Sequence, residues 1–140
     1  MKVVGIAVLT VGALLAACAS PPRVQEVTLT AQTMKYSPST FEITAGMPVE
    51  LTLVNDDTLE HDFSILEIPV ETVSQADPMS AEHTMQMGAE VDPVLHVAAE
   101  PGATNHLSFT PTKPGTYEFM CSVAGHKEAG MVGAMVVKAP

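Results

Sequence analysis

From Val27 onward the chain alternates. Val27, Leu29 and Ala31 are apolar at every second position, with polar residues between them, which is the period of a half-buried strand. Phe41 and Ile43 repeat the pattern. After a turn at Ala45-Gly46, Val49, Leu51 and Leu53 repeat it again, against Glu50 and Thr52. Asn55-Asp56-Asp57 has the composition of a turn. Beyond it His61, Phe63 and Ile65 share one face and Asp62 and Ser64 the other. Leu107 and Phe109 alternate with His106 and Ser108, so His106 is expected to face solvent. Pro111-Thr112-Lys113-Pro114-Gly115 is a strong turn. Tyr117, Phe119 and Cys121 then share a face, with the Tyr117 ring buried and its hydroxyl bonded to the neighbouring turn, as in a tyrosine corner. An apolar stretch from Met131 to Val137 closes the chain. Short strands separated by Pro and Gly turns predict an antiparallel β-sandwich.

The alternation stops at residues 67–103. A structureless loop of that length is unusual in a compact domain. Asp77-Pro78 has the form of an N-cap followed by Pro at the first helical position, and Gly88 that of a helix stop, so one short helix is expected near 78–87. On that helix Met79, His83 and Met87 fall on one face, with Met85 nearby. They read either as a cluster of soft donors able to bind Cu(I) or as methionines packing the insert against the sandwich, with His83 at the rim. His96 receives no role.

The start of the chain has a different character. Lys2 precedes an apolar run from Val3 to Ala17, too short for a membrane span with ordinary flanks and typical of a secretory h-region. Leu15-Ala16-Ala17-Cys18 resembles the cleavage site of bacterial lipoproteins, with Cys18 the lipidated residue. Cutting after Ala17 or Ala19 as an ordinary signal peptide is the alternative. The expectation is a signal peptide over 1–17, a lipid anchor and linker over 18–25, and one folded domain over 26–140. The protein would be exported and tethered to a bacterial membrane, facing the periplasm or the cell exterior.

Six Lys and Arg stand against 16 Asp and Glu, a formal charge of −10. Such a surface disfavours nucleic acid as a partner, and leaves a basic protein partner or simple solubility as readings. There are two cysteines. With Cys18 lipidated, Cys121 has no mate, and a lone thiol in an oxidising compartment is a hazard unless something such as a metal ion occupies it.

Cys121-Ser-Val-Ala-Gly-His126-Lys-Glu-Ala-Gly-Met131 carries the chemistry. A thiolate, an imidazole and a thioether are spaced C-x₄-H-x₄-M between two strands. Soft sulfur ligands suit copper, above all Cu(I), and imidazole also accepts Cu(II). Gly125 and Gly130 precede His126 and Met131 and let the loop fold tightly. A further ligand must come from elsewhere, and the inward-facing His61 is the candidate.

With those residues the chain resembles the cupredoxin family, in particular its plastocyanin, azurin and auracyanin group. The resemblance runs through Met34–Phe41, Val49–Asn55, Glu60–Phe63 and Gly115–Met131, and leaves out mainly the 67–103 insert. It implies a Greek-key β-sandwich with a short helix in a long insert, and one type 1 copper. His61, Cys121 and His126 would bind the copper near a plane, with Met131 as a weak axial ligand. The residue after the first His ligand is often Asn in the family and here is Asp62, which can accept a hydrogen bond from Ser122 but cannot donate when ionised. Its charge would favour Cu(II).

The function implied is a non-enzymatic carrier moving single electrons between membrane-associated redox proteins. Cytochromes, oxidase or reductase complexes would dock near His126, where Val123, Ala124, Ala129 and Gly130 surround the ring, and the carrier would be a monomer. The alternative is a periplasmic copper-binding and delivery protein that uses the Met/His-rich insert. A copper oxidase needs a further copper with an open position, for which His83, His96 and His106 form no recognisable set.

Overall fold

The computed structural model describes residues 23–75 and 92–140. Within them the regular elements are ten strands: β1 (Gln25–Gln32), β2 (Lys35–Ser37), β3 (Thr40–Thr44), β4 (Val49–Asn55), β5 (His61–Ile65), β6 (Val70–Gln75), β7 (Leu95–Ala99), β8 (Thr104–Pro111), β9 (Gly115–Met120) and β10 (Val132–Lys138). They form two five-stranded sheets, ordered β2-β1-β4-β8-β6 and β3-β10-β9-β5-β7. The protein is a β-sandwich, as the alternation predicts. The pairing is mixed: β1 lies parallel to β4 and β3 parallel to β10, while the other pairs are antiparallel. The chain crosses between sheets after β2 and again after β3, so it returns beside its earlier strand in the same direction.

The core lies between the inner faces. Leu29, Val49, Leu51, Leu53, Phe63 and Leu107 are fully enclosed, and each sits on the apolar phase of its strand. Phe119 of β9 is the hub of an aromatic cluster, with ring centroids 5.1 Å from Tyr36, 5.5 Å from Phe41 and 5.2 Å from Phe63. Aromatic pairs in such tilted and edge-on arrangements add about 0.5–1.5 kcal/mol each beyond area burial. Tyr117 is half-buried, and its hydroxyl donates to the Lys113 carbonyl at 3.0 Å, the expected corner.

The excursion at 67–103 is shorter than its loss of periodicity suggests. Its two ends are β6 and β7, each the outermost strand of a sheet. The helix expected at 78–87 and the Met79, His83, Met85 and Met87 group lie outside the described residues, as do Cys18 and the 1–17 segment.

β5 is buried along its whole length. It lies between β9 and β7, and on its second face Asp62 and Ser64 meet Ser122 and His96. That placement brings the start of β5 against the end of β9.

Candidate metal centre

Three elements meet at one end of the sandwich. The β4–β5 turn delivers His61 as the first residue of β5. β9 delivers Cys121 immediately past its last residue, and the loop from 121 to 131 delivers His126. The loop is closed at its base by Cys121 N–H donating to the Met131 carbonyl at 3.1 Å. Inside it His126 N–H donates to Val123 at 3.0 Å, and Met131 N–H to His126 at 3.0 Å. Gly125 (φ 86°) and Gly130 (φ 95°) both take left-handed backbone there, a conformation costly for any residue with a Cβ. This is the physical reason for a glycine before each of His126 and Met131.

The donor atoms converge. Cys121 Sγ lies 3.3 Å from His126 Nδ1 and 4.0 Å from His61 Nδ1. All three ligand atoms lie within 4.8 Å of one another, and all three residues are buried. The two imidazole centroids are 5.0 Å apart, with ring planes tilted by 52°. Metal–nitrogen and metal–sulfur bonds of about 2.1 and 2.3 Å, opened at roughly 100–130°, separate nitrogen from sulfur by about 3.4–4.0 Å. The site therefore has the dimensions of a shared metal ion. Met131 is fully enclosed at the base of the same loop, its backbone bonded to both His126 and Cys121.

The surroundings set the chemistry of each donor. Burial pushes the Cys121 thiol up to about 12, and the charge of Asp62 adds to the effect. N–H groups of Asp62 and Val123 and the Tyr36 hydroxyl oppose it. Asp62 N–H approaches the sulfur at 3.4 Å. Burial, and next the proximity of His61, hold His126 below the ordinary imidazole range. Without metal the centre thus favours a neutral thiol and a neutral His126.

Asp62, wholly buried, ties the two ligand-bearing segments together. Its carboxylate accepts from Ser122 N–H at 2.9 Å, from the Ser122 hydroxyl at 2.8 Å and from the Ser64 hydroxyl at 2.9 Å. The expected bond from Ser122 to Asp62 is therefore present, doubled by the backbone. His106 is exposed on β8, with a ring nitrogen 3.1 Å from the Thr52 hydroxyl, and takes no part.

Three neighbours of the centre carried no functional signal in the sequence. His96 of β7 is buried, with Nε2 4.0 Å from an Asp62 oxygen. The Tyr36 hydroxyl donates to the Asp62 carbonyl, and burial drives its acidity far down. Asp57 Oδ2 stands 3.2 Å from His61 Nε2. Asp57 lies in the Asn-Asp-Asp run that marks a turn, and only its position four residues before His61 could have suggested a second role.

The family model described as "Cupredoxin-like domain" matches residues 5–137. A curated relative, the copper-resistant cuproprotein CopI of Rubrivivax gelatinosus, is 36% identical over 107 residues, covering 76% of this chain and 61% of that protein. Rusticyanin of Acidithiobacillus ferrooxidans is 34% identical over 104 residues, 71% of this chain and 50% of its own length. The chain thus spans between half and two thirds of these two relatives. Among solved structures, auracyanin A of Chloroflexus aurantiacus superposes with a TM-score of 0.61 at 17% identity, covering 83% of this chain and all of that one, a likeness of fold.

Proposed function

Since the chain belongs to the cupredoxin-like domain family, we propose that it is a type 1 copper protein that carries single electrons. His61, Cys121 and His126 would hold the copper, and Met131 would be a further, weaker sulfur ligand. The observation that carries this reading is the convergence of two imidazole Nδ1 atoms and one buried thiol sulfur within 4.8 Å. Bound copper would supply a one-electron couple between Cu(II) and Cu(I).

The rest is the work of the chain. Each donor sits on a strand end or a hydrogen-bonded loop, so the donors are held in place and little of the chain would have to move on a one-electron change. Burial keeps bulk water from the sulfur. His126, itself 7% exposed, lies in a loop that exposes Ala124, Gly125, Ala129 and Gly130 together with Lys127 and Glu128, and would be the route for the electron. A small surface of this kind suits brief docking of a redox protein. Lipid at Cys18 would hold the domain near membrane-bound partners and raise their effective concentration. The carrier turns over no substrate.

The resemblance to a protein named for copper resistance favours a second reading, copper binding and delivery. Repeated oxidation and reduction beside a Cu(I) chelator separates the two. A carrier keeps its copper and its colour through many cycles. Loss of copper to the chelator at the first reduction supports delivery and contradicts the carrier.

A further inference from the structure

His61 is held from behind. Its Nδ1 faces the Cys121 sulfur and its Nε2 faces Asp57 Oδ2 at 3.2 Å. A neutral imidazole has one N–H and one lone pair, and an ionised carboxylate can only accept. Asp57 therefore keeps the hydrogen on Nε2 and leaves the Nδ1 lone pair directed into the centre.

The carboxylate is itself fixed. Oδ2 also accepts from Thr33 N–H at 2.7 Å, and Oδ1 accepts from Thr58 N–H at 2.7 Å. Thr33 (φ 49°) and Met34 (φ 58°) turn the chain from β1 to β2 in left-handed backbone, which brings that N–H onto the β4–β5 turn. Neighbouring Asp56 fastens the same two segments through Gln32, whose amide donates to it at 2.9 Å. The Asp57 side chain is 17% exposed and His61 fully enclosed, so solvent and salt screen the pair less than a surface pair.

We propose that Asp57 is a positioning residue of the metal centre: it sets the tautomer and orientation of His61 and, as a fixed negative charge behind the ring, strengthens that imidazole as a donor to the more highly charged ion. The inference rests on the reading of His61 as a copper ligand and adds a residue to that reading. It predicts a lower reduction potential than the same site would have without the carboxylate.

The test compares the copper-loaded full chain with Asp57→Ala, Asp57→Asn and Asp56→Ala, by reduction potential, copper affinity and the ¹⁵N shifts of His61 in the Cu(I) state. Asp57→Ala should raise the potential and weaken copper binding by roughly tenfold or more. Asp57→Asn keeps an acceptor without the charge, so it should restore most of the affinity while the potential stays raised. Asp56→Ala should match the wild type. An Asp57→Ala potential equal to the wild type, or an equal shift from Asp56→Ala, overturns the role of Asp57 alone. A wild-type protein that fails to form a blue Cu(II) complex overturns the reading of the site beneath it.

Discussion

Cys121 has to lose a proton before it can bind a metal, because the thiolate is the ligand. Burial holds the thiol near 12, so it is protonated throughout the neutral range, and His126, depressed by burial, is already neutral there. Metal binding should therefore release about one proton per ion near pH 8, the proton of the Cys121 thiol. Weakly buffered protein titrated with Cu(I) in the presence of an indicator dye measures this directly. Release of none would mean that the sulfur is not a ligand. At this scale the three residues that converge, His61, Cys121 and His126, were legible, because C-x₄-H is a local pattern and His61 lies on a strand of clear parity. Asp57 and His96 were not. His96 lies beside Asp62 of a different strand, and Asp57, though only four residues before His61, reaches it through the shape of a turn; neither spacing nor period records either contact.

The strands divide in the same way. β1, β4 and β8 each have one face in the core and one toward solvent, so their period of two is visible in the residues. β7, Leu95-His96-Val97-Ala98-Ala99, has four of five residues buried and alternates in nothing. β6 lies at a sheet edge, exposed over residues 71–74, and a register irregularity falls between Val70 and Val73. Those two strands were read as part of an insert for these reasons. The β9–β10 pair that frames the ligand loop is tight. A Cβ on Gly133 would lie 2.1 Å from Phe119 Cζ and 2.6 Å from the Ser39 carbonyl, and neither a fully enclosed ring nor a backbone atom yields easily. Gly133→Ala should destabilise the fold by about 1–3 kcal/mol. Urea unfolding followed by circular dichroism checks this, and a midpoint unchanged from the wild type would show that the ring and the neighbouring backbone give way more readily than their contacts indicate.

In the whole molecule the sandwich is a frame that brings three distant stretches to one end. The β1–β2 turn, the β4–β5 turn and the 121–131 loop meet there through Thr33, Asp57, His61 and Cys121. Asn55 secures the same end, donating to the Leu59 carbonyl at 2.8 Å and to the Ala99 carbonyl at 2.7 Å. The chain as a whole is acidic, with 16 Asp and Glu against six Lys and Arg. The most direct test of the central claim is the visible and EPR spectrum of the protein after addition of one equivalent of Cu(II). An intense sulfur-to-copper band with narrow hyperfine splitting, abolished by Cys121→Ser, is the predicted result. A colourless complex with the wide splitting of ordinary cupric sites, unchanged by that substitution, would contradict it.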